Sequence, residues 1–122
     1  MTIAVRRSAG RIVDITVSGH AGFAPRGRDI VCAAASALVL SAAHGIAAHC
    51  KSPATVKDDG DGDYHLHIPR GGNASAQAVL ESAVSGLRAI SRSYPGSLRI
   101  RSFAGKAVAP PKSSGPTRAA RK

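Results

Sequence analysis

The sequence predicts a two-layer α/β sandwich in which two helices pack on one face of a single mixed sheet. Three observations support this fold class. Short runs of alternating apolar residues mark strands near the start, the middle and the end of the chain. Two longer segments between them read as helices, one through helical spacing and one through its unbroken apolar composition. The resulting order, ββαββαβ, favours one compact domain in a chain of 122 residues.

The first two strands are predicted to form a hairpin. Ile3 and Val5 mark the first strand, and alternate apolar residues mark the second: Val13, Ile15 and Val17. Side chains at alternate positions share one face of a strand, so these three should face the core. A glycine-containing turn joins the two strands, and a longer glycine-containing loop follows them.

A long helix is predicted over Ile30 to Cys50, because none of these 21 residues is Lys, Arg, Asp or Glu. Apolar residues occupy every side of it, which is typical of a buried helix. Its length would also permit a membrane span, but the segment is rich in alanine rather than leucine. We therefore expect a buried helix and no membrane partner. No apolar segment follows Arg6 and Arg7, so no signal peptide is expected.

The second half of the chain alternates between strands and a second helix. Its turns contain glycine, proline and aspartate, which favour chain reversal. The predicted elements are a short strand over 54–57, a polar turn over 58–63, a strand over 64–68, a helix over 74–94 and a final strand over 98–103.

The charge of the chain is uneven. The formal net charge is +10, and residues 104–122 contain five basic residues and no acidic one. This segment also holds three prolines and has little apolar periodicity, which indicates a disordered basic tail. We predict a folded domain over 1–103 and a tail over 104–122 that makes weak contact with a polyanion such as ribosomal RNA.

A histidine and a cysteine lie on either side of the loop that follows the second strand. His20 directly follows Gly19 at the end of that strand, and Cys32 comes twelve residues later. A cysteine attacks as the thiolate, so a nearby imidazole that accepts its proton makes it a nucleophile. The pair predicts a thiol hydrolase. A strand-end histidine and a buried structural cysteine remain the alternative interpretations.

Two further residues are candidates for supporting this pair. Asp29 is predicted as the helix N-cap, which would place Cys32 at the third helical position, near unpaired backbone N–H groups. Such groups favour a thiolate and can bind an oxyanion. The Asp29 carboxylate is equally suited to orient the imidazole. Ser36 lies four residues after Cys32 on the same helix face, where it either joins the site or packs locally.

The two cysteines are not expected to form a disulfide. If Cys32 and Cys50 lie on one helix, their separation of 18 positions corresponds to about 27 Å. That separation is far beyond the reach of a disulfide. Free thiols suit a reducing compartment, so we expect a cytoplasmic protein.

Two other histidines raise the question of a metal site. His65 and His67 are two positions apart on a predicted strand, so they point to the same side, as pairs of metal ligands often do. The sequence places no third ligand beside them. We predict no metal ion and no cofactor.

These residues resemble the ribosomal-processing cysteine protease family Prp. The likeness extends over roughly residues 2–103, includes the His65-x-His67 strand and excludes the basic tail. The matching motifs are Gly19-His20-Ala21, Asp29-Ile30-Val31-Cys32-Ala33 and Ala35-Ser36-Ala37.

The resemblance implies a small α/β homodimer that removes a short N-terminal extension from large ribosomal subunit protein twenty-seven. By position, His20 matches the general base of the family and Cys32 its nucleophile. Asp29 and Ser36 match accompanying motif positions, and Gly19 precedes the base. A mobile loop that closes over substrate in the family matches Ala21, Gly22, Phe23, Ala24, Pro25, Arg26, Gly27 and Arg28.

The basic composition supports one alternative of a different class. A chain of net charge +10 is suited to associate with ribosomal RNA or an assembling subunit without catalysis. The affinity of such a binding module should fall steeply as salt is added. The residues alone leave this alternative open beside a cysteine endopeptidase.

Overall fold

The computed structural model describes residues 1–19, 26–58 and 63–105, and for residues 26–29 it describes the backbone only. In these ranges two helices pack on a five-stranded mixed sheet, which confirms the predicted fold class. The elements are β1 (Thr2–Ser8), β2 (Arg11–Ser18), α1 (Arg26–His49), β3 (Thr55–Asp58), β4 (Tyr64–His67), α2 (Ala74–Ser93) and β5 (Arg99–Ala104), with a short 3₁₀ turn at Pro69–Gly71.

The sheet has the strand order β3-β4-β2-β1-β5. β5 runs parallel to β1, and the other neighbouring strands are antiparallel. The register aligns Val5 with Ile15 and Ile15 with Leu66, so these side chains point to one face. We call this the covered face, because α1 and α2 pack on it.

The core lies between the covered face and the two helices. β2 contributes Ile15 and Val17, which are fully buried, as predicted. The pairing of β1 with β2 shifts register before them, so Ile12 joins this core cluster in place of Val13. α2 turns an apolar stripe toward the sheet, at a spacing of three or four residues. The buried residues of this stripe are Ala76, Leu80, Ala83, Val84 and Leu87.

α1 is the longest element and lies against α2 in this core. Val31, Ala35, Val39 and Ile46 are buried on its inner side. By length and composition alone, Ile30–His49 is also apolar enough to cross a membrane, and 33% of that stretch is buried in the domain. The helix packs against α2 as a core helix should, but it is buried on one side only, whereas its composition predicts burial all round.

The final strand lies one residue later than predicted. β5 continues to Ala104, and the backbone N–H of Gly105 donates to the Arg7 carbonyl oxygen at 3.0 Å. Pairing with β1 therefore extends just past the predicted domain boundary at residue 103. The predicted tail falls almost entirely on residues 106–122, which lie outside the described ranges, so its disorder remains a prediction.

Candidate active site

Cys32 lies on α1 with a half-buried, free thiol. Reactive cysteines need this partial access, because a fully buried thiol meets neither base nor substrate. Cys50 follows the other end of the same helix and is also free, which confirms the prediction that the two form no disulfide.

The predicted cap of α1 is wrong. The helix begins at Arg26, so Asp29 lies inside its first turns and Cys32 is six residues beyond the start, about 9 Å along the axis. The unpaired N–H groups belong to residues 26–28, and the field of a helix end falls off within one turn. In the sequence, Pro25 directly precedes this start, and proline favours the beginning of a helix. The preference of proline for the beginning of a helix therefore outweighs the preference of Asp29 for the N-cap.

His20 lies outside the described residues, as does the loop over 21–25. The side chains of Arg26, Arg28 and Asp29 are also not described. The pairing of His20 with Cys32, the role of Asp29 and the substrate loop therefore remain predictions from the sequence.

Gly19 determines how the chain leaves β2, immediately before His20. Its φ is +85°, in the region that favours glycine, and a Cβ there would lie 3.4 Å from the Met1 Cα. Its backbone N–H donates to Asp63 Oδ1 at 3.2 Å. This bond ties the end of β2 to the residue before β4. The supporting role of Gly19 in catalysis remains a prediction from the sequence.

Ser36, one turn after Cys32, lies beside a residue that the sequence did not single out. Tyr64 begins β4, pairs with Val17 of β2 and is 8% exposed. The Ser36 hydroxyl lies near enough to the phenol to favour its ionised form. Even so, no group in the described parts of the chain completes a hydrogen bond with the Tyr64 hydroxyl.

The environment keeps the Tyr64 phenol neutral. Burial raises its pKa above the ordinary value of 10.0, the Ser36 hydroxyl acts in the opposite direction, and the negative charge of Asp58 raises it further. A neutral phenol beside Ser36 is a hydrogen-bond donor. The alternation of Tyr64 with Leu66 marks it as a core residue. Only the folded structure shows that Tyr64 lies near Ser36, on the helix that carries Cys32.

A second cluster lies on the opposite, open face of the sheet, around Asp14, His65 and His67. The sequence predicts that the two histidines point the same way, and the structure confirms this. Asp14 of β2 is aligned with His67 of β4, so its carboxylate meets both imidazoles. The pairing register between β2 and β4 brings them together, and no local pattern in the sequence reveals it.

A free, half-exposed cysteine on the core helix of a two-layer α/β domain is compatible with a small thiol hydrolase. Over residues 1–99 the sequence matches the family described as cysteine protease Prp. The chain therefore belongs to the Prp family of cysteine proteases.

Relatives and solved structures agree with this assignment. The ribosomal processing cysteine protease Prp of Staphylococcus aureus is 30% identical over 75% of this chain and 87% of the relative. The corresponding protease of Bacillus subtilis is 30% identical over 79% of this chain and 91% of the relative. A crystal structure of the S. aureus protease with a substrate peptide superposes with a TM-score of 0.77 at 26% identity, over 83% of this chain and 97% of that one. Its complex with a covalently linked product peptide gives 0.73 at 27% identity, over the same shares.

Proposed function

We propose that this protease is an endopeptidase that removes the N-terminal extension of large ribosomal subunit protein twenty-seven, with Cys32 as nucleophile and His20 as general base. The observation that carries the proposal is the half-exposed free thiol on α1, in a chain that matches the family over residues 1–99. Relatives at 30% identity are named for ribosomal processing.

The chemistry follows the usual course of thiol proteases. His20 accepts the Cys32 proton, and the thiolate attacks the scissile carbonyl carbon. The tetrahedral intermediate collapses as the peptide nitrogen leaves with the proton from His20, which gives a thioester on Cys32. Water, deprotonated by His20, then hydrolyses the thioester and restores the thiol. A covalently linked product peptide on the S. aureus relative is consistent with such a course.

A peptide that spans the extension and the mature N-terminus tests the nucleophile. Cys32→Ala should reduce the cleavage rate by roughly a thousandfold or more. Cys50→Ala removes the other free thiol and is the matched control, which should cleave at the rate of the unchanged chain. Cleavage that survives Cys32→Ala would contradict the proposal.

A second pair of variants tests the base. His20→Ala should lower the rate by about a hundredfold or more, while circular dichroism stays unchanged. His44 lies on the exposed side of α1, so His44→Ala is the control. Equal rates for the two variants would remove His20 from the mechanism.

We also propose that the protein is a cytoplasmic homodimer. Both cysteines are free, which suits a reducing compartment. The outer side of α1 offers an uncharged surface for a second copy: Ile30 is 67% exposed there, and Ala33, Ala34 and Ala37 are exposed beside it. Analytical ultracentrifugation should give twice the chain mass, and Ala37→Arg should give monomers.

One feature favours contact with RNA as a second function. Arg99 and Arg101 are exposed on β5, and the Arg101 guanidinium lies 5.7 Å from the centre of the Phe103 ring. An edge strand of this kind, followed by the basic segment 104–122, is suited to a phosphate backbone. Affinity for ribosomal RNA should fall steeply with salt, and a chain that ends at Gly105 should bind more weakly while it cleaves peptide at the same rate.

A further inference from the structure

Three possible metal ligands meet on the open face of the sheet. Asp14 is the Cα partner of His67, and His65 lies two positions earlier on the same face of β4. His65 Nε2 is 2.6 Å, and His67 Nδ1 2.9 Å, from one and the same atom, Asp14 Oδ1. One ligand atom from each residue lies within 4.8 Å of the other two. The three side chains therefore converge on a single point.

We propose that Asp14, His65 and His67 bind a divalent first-row transition-metal ion, with Zn²⁺ as the reference case. Two imidazole nitrogens and one carboxylate oxygen are ligands that Zn²⁺, Co²⁺ and Ni²⁺ accept, whereas Mg²⁺ and Ca²⁺ prefer oxygen throughout. The side chains of His65 and His67 are 38% and 45% exposed, so an ion can enter from solvent. Water completes its coordination.

Arg6 holds the other oxygen of the carboxylate. Its Nε donates to Asp14 Oδ2 at 2.7 Å, its Nη2 contacts the same oxygen, and its Nη1 donates to the Gly105 carbonyl oxygen at 2.8 Å. Ligating carboxylates are usually fixed by an outer partner in this way. Oδ1 is left directed toward the imidazoles.

Arg6 also limits how tightly a metal ion can bind, because its guanidinium already bonds Oδ2 of the Asp14 carboxylate. The positive charge of Arg6 opposes a second cation, so we expect moderate rather than extreme affinity.

The competing arrangement is a cluster of hydrogen bonds without a metal. There, both imidazoles donate an N–H to Asp14 Oδ1. In the metal site the same two nitrogens are unprotonated and their lone pairs bind the ion. The separations of 2.6 and 2.9 Å are those of hydrogen bonds. Around a tetrahedral ion the same atoms would move apart to roughly 3.3 Å, and the two arrangements differ in what happens when metal is added.

An ion at this position ties β2 to β4 and takes no part in peptide cleavage. Asp14 lies on the face of the sheet opposite α1, which carries Cys32. Metal binding should therefore stabilise the folded domain, because an ion that binds the folded state alone shifts the unfolding equilibrium.

Titration of the full chain, first freed of metal with a chelator, tests the site. Zn²⁺ in competition with a chromophoric chelator should show one equivalent bound. His65→Gln and His67→Gln should each weaken binding by roughly tenfold or more. His44→Gln, which changes an exposed histidine on α1, is the matched control and should bind as the unchanged chain does. Both site variants alter half-exposed side chains and should fold normally.

Co²⁺ as a spectroscopic probe separates this site from the thiols. Its spectrum should lack a thiolate-to-cobalt charge-transfer band, and Cys32→Ala should bind the ion unchanged. At equal concentration, Zn²⁺ should raise the thermal midpoint of the unchanged chain more than that of His67→Gln. No binding, equal affinity in His67→Gln, or a thiolate band would each overturn the proposal.

Discussion

The two faces of the sheet are made by the same strands and differ in what fills them. On the covered face, Ile15 and Leu66 are fully buried beneath the helices. On the open face, the neighbouring residues Asp14 and His65 belong to a cluster of charge and hydrogen bonds. Because successive residues of a strand point to opposite faces, β2 and β4 supply both environments. The covered face therefore holds the apolar core and the helix with the candidate nucleophile. The open face holds the cluster of charged and hydrogen-bonding side chains.

Truncation on the covered face should have the largest effect on stability. Leu66 is fully buried in the core, so Leu66→Ala removes apolar contacts and leaves a cavity, at a cost of about 2–5 kcal/mol. Urea denaturation of the full chain measures this. Thr55→Ala, at an exposed position of the neighbouring β3, is the control and should change stability by less than about 0.5 kcal/mol. A similar loss in both variants would contradict the division between the faces.

On the open face, loss of the shared Asp14 carboxylate should cause the second-largest loss of stability. Asp14→Asn leaves Arg6 and the two histidines without their anionic partner, at a cost of about 1.5–3 kcal/mol. His67→Gln removes a side chain that is 45% exposed and should cost less than about 1 kcal/mol. Both are measured by denaturation in excess chelator, so that bound metal contributes nothing. If His67→Gln proved the more harmful variant, Asp14 would not be the centre of the cluster.

The buried hydroxyl of Tyr64 is a polar exception on the covered face. Tyr64→Phe removes a group that completes no hydrogen bond among the described residues, so stability should stay constant or rise by up to about 1 kcal/mol. Denaturation measures the free energy of unfolding of Tyr64→Phe, of Ser36→Ala and of the double variant. Effects that do not add would show that the two hydroxyls interact. A clear loss of stability in Tyr64→Phe would mean that the phenol is bonded in solution.

The ion pair between Arg7 and Glu81 joins β1 to α2, and its loss should have the smallest effect on stability. Glu81 accepts from Arg7 at 2.6 and 3.1 Å, which holds its pKa below the ordinary value of 4.5. The bond is therefore fully present at neutral pH and is lost as the pH falls through the lowered pKa. The Glu81 side chain is 47% exposed, so Glu81→Gln should cost less than about 1 kcal/mol at pH 7.

The same comparison in acid checks the sign of this effect. The stability difference between Glu81→Gln and the unchanged chain should shrink toward zero below the pKa of Glu81. A difference that grows in acid would contradict the assignment of the pair.

The fold follows from the sequence because its signals are local. Alternation at Val13, Ile15 and Val17 predicts β2, and the uncharged segment after Asp29 predicts α1, which the structure confirms. The start of α1 was predicted wrongly, because an aspartate that caps a helix and an aspartate in its first turn give similar patterns.

The site is only partly predictable, since its contacts join distant parts of the chain. The spacing of Cys32 and Ser36 on one helix face can be counted along the sequence. The meeting of Ser36 with Tyr64, and of Asp14 with His67, depends on the packing of α1 and on the register between β2 and β4. Both contacts can be seen only in the structure, because a single sequence does not show which distant residues lie together.

Selective alkylation tests most directly the central claim that Cys32 is the nucleophile. The full chain is treated with limiting iodoacetamide, and peptide mapping of Cys32 and Cys50 is followed alongside the rate of peptide cleavage. Activity should fall in proportion to the fraction of Cys32 modified and remain unchanged in molecules modified at Cys50 alone. Full cleavage activity after complete alkylation of Cys32 would contradict the account.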